Sequence, residues 1–318
     1  MWKKSFICAL LLFSAGIEAE ELPPSIAWAY PAAKEKMPLP ELPAATQFRV
    51  AGSSLSYTGD QINKMADPVD WLPAEHPPMP SVVAHGDHER KLEACGGCHG
   101  MNGQGFLEIP NLAGLPAGYI VEQLHELASG RRHSSVADRP PAAFMAMMAG
   151  QLSETEMADA AKFFSSITQR PRLIRVIETD RAPATRAHFD GWQELAPGGS
   201  EPLGRRIVEV AEDFDQQWAG DPHSGSVAYV PEGAIERGKA LVHQGAQACV
   251  SCHGANLRGI GRAPPLAGRD PHYLARALWD IKSGARGGPA VALMQKPAAR
   301  ISGDQIVDIV AYLASLAP

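Results

Sequence analysis

The chain has 318 residues, enough for about two domains of ordinary size. It is 45% hydrophobic, and its 29 Lys and Arg residues against 35 Asp and Glu residues give a formal net charge of −6. This balance lacks the positive field that nucleic-acid binding requires, so we expect no nucleic-acid partner.

Residues 1–19 have the organisation of a secretory signal peptide. Lys3 and Lys4 precede an apolar run from Phe6 to Ala15, and Ile17-Glu18-Ala19 is a suitable cleavage site. The apolar run is too short to span a bilayer, and no later stretch is long and apolar enough to do so. We therefore expect an exported, periplasmic protein without a transmembrane span.

Residues 20–83 form a proline-rich extension that precedes the first motif of chemical interest. Its proline content argues against long helices. Trp28, Tyr30 and Trp71 argue against disorder, because disordered tails are poor in aromatic residues. We expect this irregular segment to wrap around the modules that follow it.

Two copies of Cys-X-X-Cys-His, at residues 95–99 and 249–253, are the most informative motif in the chain. Two thiols three positions apart can both add to the vinyl groups of one porphyrin, and the adjoining histidine then reaches the iron. The motifs therefore predict two covalently bound haem c groups. The predicted attachment residues are Cys95, Cys98, Cys249 and Cys252, and the predicted iron ligands are His99 and His253.

Zinc binding and redox disulfides are the alternative explanations of paired cysteines. Zinc sites usually bring two pairs within about 20 residues of each other, whereas most of the chain separates Cys98 from Cys249. A thioredoxin-type site needs no histidine directly after the pair. The fifth cysteine, Cys8, lies in the predicted signal peptide. Haem attachment is the interpretation that explains all four remaining cysteines.

The chain is a tandem repeat around these motifs. An offset of 154 residues aligns the motifs and pairs Tyr119 with Tyr273, and after a short deletion an offset of 149 pairs Met145 with Met294. Chance would not maintain two offsets over many positions, so the repeat indicates two related modules. We place the modules at residues 84–169 and 233–318, with an interdomain segment at 170–232.

Apolar spacing predicts that both modules are mainly helical. Ser153 with Glu156 and Ser302 with Gln305 form capping boxes that begin the last helix of each module. Earlier helices are predicted at residues 87–97, 119–129, 233–244 and 273–282. An apolar stripe behind the second box is expected to face the core or the haem: Ile306, Ile309, Val310, Leu313 and Leu316.

The interdomain segment has a different pattern from the modules. Alternating residues at 206–210 and 226–230 predict short strands. Phe189 and Trp192 are aromatic anchors that argue for an ordered segment. We expect this segment also to wrap around the modules.

The sixth ligand of each iron distinguishes an electron carrier from an enzyme. Methionine stabilises ferrous iron and leaves no open position for oxygen or peroxide. Met294 is the only methionine after the second motif, whereas the first module offers Met145, Met147 and Met148. The repeat alignment selects Met145, and Met148 is the alternative. Core packing is the other role open to each methionine.

These residues resemble the class I cytochromes c, and in particular the diheme cytochromes related to cytochrome c4. The likeness rests on the haem motifs, on the segments at 110–114 and 264–268, and on the methionine before each last helix. It covers about residues 84–169 and 233–318. The resemblance implies a mainly α fold with two tandem class I cytochrome c domains and irregular, proline-rich extensions.

The resemblance also implies roles for other residues. The backbone carbonyls of Pro110 and Pro264 would accept hydrogen bonds from His99 and His253 and so orient the rings. Basic residues in the loops after the helices predicted at 119–129 and 273–282 would contact haem propionates or remain on the solvated surface: Arg131, Arg132 and Arg286.

The predicted function is electron transfer without catalysis. A diheme carrier of this kind takes electrons from a dehydrogenase or respiratory complex and passes them to an oxidase or reductase, so its partners are redox proteins. The alternative is a diheme enzyme of the cytochrome c peroxidase type, which needs an iron whose sixth position can open. His125 and His133 follow the first motif, but the repeat places neither at the position of Met145. A haem with a cysteine ligand is disfavoured because the mature chain has no spare cysteine.

Overall fold

A computed structural model describes residues 22–31, 41–106, 108–137, 139–171, 173–188, 193–244, 248–289 and 291–318. The predicted signal peptide and the aromatic anchors Phe189 and Trp192 lie outside these ranges. Within them, no helix is both long and apolar enough to cross a bilayer.

The N-terminal segment is irregular, as its proline content predicts. Its helices in the described ranges have four residues at most, and buried aromatic side chains hold these parts of the segment against the rest of the chain. Trp71 donates from Nε1 to the carbonyl of Ala219 at 2.8 Å, and Ile26 and Tyr30 pack in the core of the second module. Its elements are α1 (Pro24–Ala27), β1 (Gln47–Phe48), β2 (Tyr57–Thr58), α2 (Gly59–Ile62) and a 3₁₀ turn at Pro73–Glu75.

The first module is a group of helices around a core that includes Phe163 and Phe164. The Ser153 and Glu156 capping box is formed at the start of its last helix, as predicted. The helices are α3 (Ser81–Ala84), α4 (Cys95–His99), α5 (Ala117–Ala128), α6 (Pro140–Ala149) and α7 (Glu154–Ser166).

The helix predicted at residues 87–97 is wrong over most of its length. Residues 87–92 form a tight turn in which Asp87 and Leu92 pair as an isolated bridge. The Asp87 carboxylate accepts from the backbone amides of Glu89 and Arg90 at 3.0 and 3.1 Å. This local bonding competes with helical bonding, and Lys91 has a positive φ of 54°. Only residues 95–99 are helical.

The interdomain segment contains more β structure than the sequence predicts. Its elements are β3 (Ile174–Glu178), β4 (Arg181–Ala187), β5 (Gln193–Pro202), β6 (Val208–Ala211), α8 (Phe214–Trp218) and β7 (Ser226–Val230). The two predicted strands correspond to β6 and β7, which pair antiparallel. β3 pairs parallel with β7 to complete a sheet of order β3-β7-β6, and β4 pairs antiparallel with β5.

The second module repeats the arrangement of the first. Its helices are α9 (Ala234–His243), α10 (Val250–His253), α11 (Pro271–Ser283), α12 (Ala292–Ala299) and α13 (Gly303–Ser315). The helices predicted at 233–244 and 273–282 are confirmed, as is the capping box of Ser302 and Gln305. The predicted stripe is buried from Ile306 to Leu313 and half-buried at Leu316. α9 and α13 cross at Gly238, which has no room for a side chain.

The two modules contact each other with pseudo-two-fold symmetry. Arg132 and Arg286, which the repeat pairs, form an antiparallel bridge between the modules. The amide of His133 donates to the carbonyl of Ala285, and the amide of Gly287 donates to that of Arg131, at 2.9 and 2.7 Å. An offset of 154 exchanges these two bonds, so each module presents the same surface to the other. We call this contact the seam.

Gly238→Ala tests the crossing of α9 and α13. A Cβ at this position would collide with the carbonyl oxygen of Asp308, so the helices must separate. We expect the free energy of unfolding to fall by about 1–3 kcal/mol, measured by chemical denaturation. Lys239→Ala on the exposed face of α9 is the control and should be nearly neutral. Equal stability of the two variants would contradict the proposed close contact.

Candidate haem sites and their seam

Each Cys-X-X-Cys-His motif lies on a short helix. α4 spans Cys95–His99, and Cys249 caps α10 in a helical conformation. One helical turn places cysteines three positions apart on the same face. All four described cysteines are free of disulfide bonds. Burial raises the pKa of the Cys95 and Cys98 thiols to about 12, so both are neutral near pH 7.

Both motif histidines are buried and oriented by a proline carbonyl. Nδ1 of His99 lies 2.9 Å from the Pro110 oxygen, and Nδ1 of His253 lies 2.8 Å from the Pro264 oxygen. Because a carbonyl can only accept, Nδ1 carries the proton and Nε2 keeps a free lone pair. Burial lowers the pKa of both imidazoles. Each ring is therefore neutral and prepared to bind a metal through Nε2.

In the first module these residues line a cavity of about 210 Å³. Cys98, His99 and Pro110 lie on its wall, and Met145 of α6 also lines it. Apolar side chains of α5 and the preceding loop form one side of the wall: Leu112, Leu115, Ile120, Leu124 and Leu127. This lining would keep water away from a group bound beside His99.

The three methionines of α6 have different surroundings. Met145 is half-buried and lines the cavity that His99 also lines. Met147 is 48% exposed. Met148 is buried in the core of the module, and its sulfur accepts from the backbone amide of Glu93 at 3.4 Å. Of the three, Met145 is the one whose side chain shares a cavity with the motif histidine.

The seam closes this cavity with cationic side chains from both modules. Arg132 and Arg286 both line it, and each reaches the tyrosine of the opposite module. Arg286 donates to the Tyr119 hydroxyl at 2.6 Å, and Arg132 to the Tyr273 hydroxyl at 3.3 Å. Burial disfavours the Tyr273 phenolate, yet the two guanidiniums outweigh burial and lower the pKa of Tyr273 to about 7.

The cavity fits a haem group by its chemistry. It combines the free thiol of Cys98, a neutral imidazole and apolar walls with a cationic rim. Within the described chain, the buried Nε of Arg286 has no hydrogen-bond partner. A flat apolar macrocycle with acidic side groups would satisfy the walls, the imidazole and this guanidinium together.

In the second module the predicted site residues lie in two packed groups. Cys249 contacts the main core of the module, Cys252 is exposed, and His253 is 6% exposed. Met294 of α12 packs against Ile281, Val291 and Ala298.

The two histidines that a diheme peroxidase could use as iron ligands, His125 and His133, contact other groups. Nδ1 of His133 lies 2.9 Å from the Ala285 carbonyl at the seam, although the residue also lines the first cavity. Nε2 of His125 lies 3.2 Å from a Glu154 carboxylate oxygen on the module surface.

Comparison with known proteins matches this arrangement to one family. The family model "Cytochrome c" covers residues 90–168 and 235–317, which is about half of the chain in two separate regions. The chain belongs to the cytochrome c family. It has two cytochrome c domains and two covalently bound haem c groups, and the predicted mainly α fold is confirmed.

Two curated relatives and one solved structure describe the likeness more closely. Cytochrome c4 of Pseudomonas aeruginosa is 25% identical over 232 residues, covering 72% of this chain and 86% of its own. A thiosulfate dehydrogenase electron acceptor of Thiomonas intermedia is 26% identical over 225 residues, covering 70% and 78%. The crystal structure of reduced recombinant cytochrome c4 from Pseudomonas stutzeri aligns with a TM-score of 0.45 and 24% identity, covering 73% and 99%. The chain is a diheme electron-transfer cytochrome, and its curated relatives make it similar to cytochrome c4.

The three arginines that the resemblance links to haem propionates lie in different environments. Arg131 is about half exposed and pairs with Glu126, with Nε 2.6 Å from the carboxylate. Arg132 and Arg286 line the first cavity, and Arg286 arrives there from the second module. Only the tertiary structure of the cytochrome assigns Arg286 to the cavity of the other module.

A buried ionic cluster around Glu108 was not among the sequence-based predictions. This carboxylate is 3% exposed and lies 2.6, 2.7 and 3.0 Å from Arg276, Arg139 and His272. Its repeat partner is Arg262, which lies 3.0 Å from Glu122, and Glu122 is the repeat partner of Arg276. The two ion pairs across the seam are therefore related by the repeat with their charges exchanged. The repeat alignment pairs an acidic with a basic residue at both positions, and this exchange of charge is the sequence feature that could have revealed the cluster.

Glu108→Gln tests the buried cluster. Burial disfavours the charged form of Glu108. The neighbouring Arg276, His272 and Arg139 outweigh this effect and lower the pKa of Glu108 to about 2. A lowered folded-state pKa gives stability that is present above the ordinary pKa and is lost as pH falls through about 2. We expect the substitution to cost about 3–5 kcal/mol near pH 7, measured by urea denaturation, because Arg276 remains buried without its partner.

The repeat supplies a matched control for this prediction. Glu122→Gln removes the equivalent ion pair, whose Arg262 side chain is 73% exposed. We expect a change below about 1 kcal/mol. The loss caused by Glu108→Gln should also shrink as the pH falls from 4.5 toward 2. Similar costs for both variants at pH 7 would contradict this account.

Proposed function

We propose that this cytochrome is a periplasmic electron carrier with no catalytic activity of its own. In this role it accepts electrons from a dehydrogenase or respiratory complex and passes them to an oxidase or reductase. The single observation that carries the proposal is the placement of Met145 in the apolar cavity lined by His99. A ligand on each side of the iron leaves no open position for a substrate.

The proposal assigns a role to each site residue. When bound, the two haem c groups supply iron centres that take up and release single electrons. Cys95 and Cys98 would hold one group and Cys249 and Cys252 the other, and His99 and His253 would bind the two irons. Met145 and Met294 would be the second protein ligands. The carbonyls of Pro110 and Pro264 keep each ring in its metal-binding orientation.

The seam supports transfer between the two sites. Arg132 and Arg286 form one cationic cluster across the module boundary, at the rim of the first cavity. In the proposed carrier these guanidiniums hold acidic side groups of the haem and keep the first site against the second module. An electron can then enter through one module and leave through the other.

The names of relatives and the charge of the chain support a partner class. One relative is called a thiosulfate dehydrogenase electron acceptor, so we include a sulfur-compound dehydrogenase among the proposed donors. The net charge of −6 favours a partner with a basic docking face, which would speed encounter at low ionic strength. The signal-like segment at 1–19 supports the periplasm as the place of this exchange.

Met145→Ala tests the ligand assignment. We expect the oxidised variant to lose about half of the long-wavelength sulfur-to-iron absorption band, since two sites contribute to it. The reduction potential of one site should also fall, because a soft ligand that favours ferrous iron has been removed. Optical spectra and a redox titration of the haem-loaded protein measure both effects.

Met147→Ala is the matched control on the same helix. Its side chain is about half exposed and does not line the cavity, so the band and both potentials should match those of the wild type. If Met145→Ala kept the full band, another residue would be the ligand.

Turnover assays distinguish a carrier from an enzyme. We expect the purified protein to exchange about two electrons per chain, one per haem, in a reductive titration. With hydrogen peroxide or thiosulfate, and a second redox protein as electron donor or acceptor, it should show no sustained turnover, because both irons keep two protein ligands. Steady consumption of either compound would refute the proposal in favour of a diheme enzyme.

A further inference from the structure

A second, smaller cavity lies where the interdomain segment meets both modules. Its volume is about 30 Å³. The interdomain segment contributes Glu209 of β6, Gln217 of α8 and Ser224 of the loop before β7. The second module contributes Asp270, which caps α11, and the first module contributes Asn111. None of these residues belongs to the proposed haem sites.

Three oxygen atoms at this cavity have no hydrogen-bond partner in the described part of the chain. They are Oε2 of Glu209, Oε1 of Gln217 and Oγ of Ser224. Glu209 and Gln217 are only 3% and 5% exposed, so water outside the protein does not reach them. The other carboxylate oxygen of Glu209 accepts from the Ser226 hydroxyl. A buried oxygen without a partner costs about 1–3 kcal/mol, and here three share one cavity.

The cavity also concentrates negative charge. Glu209 and Asp270 both line it, and no Lys, Arg or His is among the described residues that do so. Burial and the neighbouring Asp270 raise the pKa of Glu209 well above its ordinary value. Glu209 is buried and Asp270 beside it is half-buried, so the pair needs either a shared proton or a cation to neutralise it.

A cation satisfies more of these groups than a proton does. A proton on Glu209 supplies one donor and leaves the Gln217 and Ser224 oxygens without one. One cation can accept all three oxygens as ligands, together with Asp270. The donors are carboxylate, amide and hydroxyl oxygens, which suit a hard ion of the calcium class. Within the described residues no group of three or more His, Cys, Asp or Glu could hold a metal ion, so this site has two carboxylates and needs the amide and hydroxyl oxygens to complete the ligand set.

We propose that this cavity binds one hard divalent cation of the Ca²⁺ class through Glu209, Gln217, Ser224 and Asp270. The ion joins β6 and α8 of the interdomain segment to the start of α11 in the second module. Asp270 also accepts from the amide of Tyr273, which lines the first haem cavity at the seam. Cation binding therefore strengthens the attachment of the interdomain segment beside the seam.

Metal analysis of the haem-loaded full chain tests this proposal. The protein is equilibrated with Ca²⁺ and separated from free ion by gel filtration, and its bound metal is measured by mass spectrometry. We expect about one Ca²⁺ per chain. Thermal unfolding should shift to lower temperature when a chelator removes the ion, because an ion that binds only the folded state stabilises it.

Glu209→Gln keeps the size of the side chain and removes its charge. We expect the affinity for Ca²⁺ to fall at least about tenfold, and the chelator should no longer lower the unfolding temperature. Glu212→Gln is the matched control, since this exposed carboxylate lies three residues further on and pairs with Arg175. It should bind Ca²⁺ as the wild type does.

Two results would overturn the proposal. One is a wild-type protein without stoichiometric Ca²⁺, which would mean that a shared proton neutralises the two carboxyl groups. The other is unchanged Ca²⁺ binding in Glu209→Gln. If that variant does not fold, Gln217→Leu replaces it, because it removes one proposed ligand oxygen without adding or removing charge. Unchanged affinity in Gln217→Leu would equally contradict the site.

Discussion

The seam between the two modules is the contact on which the arrangement of both haem sites depends. Arg132 and Arg286 bridge there, with backbone bonds on either side that the repeat exchanges. Because the modules are copies, each can offer the other the same surface, as subunits of a two-fold dimer do. Covalent linkage in one chain then allows the two halves to diverge. The exchanged ion pairs of Glu108 and Glu122 are one such divergence.

This divergence makes the two sites unequal. The first cavity is closed in part by Tyr273, Arg276 and Arg286 of the second module, so its electrostatic environment depends on both modules. Four charged or titratable side chains beside it are buried as one cluster around Glu108. Removing any member leaves the others desolvated, which ties the geometry of the first site to the integrity of the seam. An electron relay benefits from this rigidity because the distance between its two centres must stay constant.

The segments outside the repeat hold the modules together. Tyr30 of the N-terminal segment donates to the Asp280 carboxylate at 2.7 Å, and Asp280 also accepts from the amide of Ser135 in the first module. Trp71 connects the same segment to the interdomain segment. The expectation that both segments wrap around the modules thus corresponds to specific contacts. The N-terminal segment is rich in proline and has no long helix in its described ranges. Burial of its aromatic side chains, such as Tyr30 and Trp71, holds those ranges in place.

Local chemistry in the sequence determined the haem motifs, the repeat and most of the module helices. Thiol spacing, capping boxes and apolar periodicity act within a few residues, so one chain is enough to recognise them. The turn at Asp87 was missed because its carboxylate competes locally with the helix. Strand β3 was missed because its partner β7 is distant in sequence. Strands β4 and β5 pair as neighbours in the chain, but proline and glycine interrupt them and no apolar alternation marks them. Only the tertiary structure decided that Met145 shares a cavity with His99 and that Arg286 crosses the seam. It also brought Glu209 and Asp270 together, since contacts between distant segments depend on how the modules pack and not on local pattern.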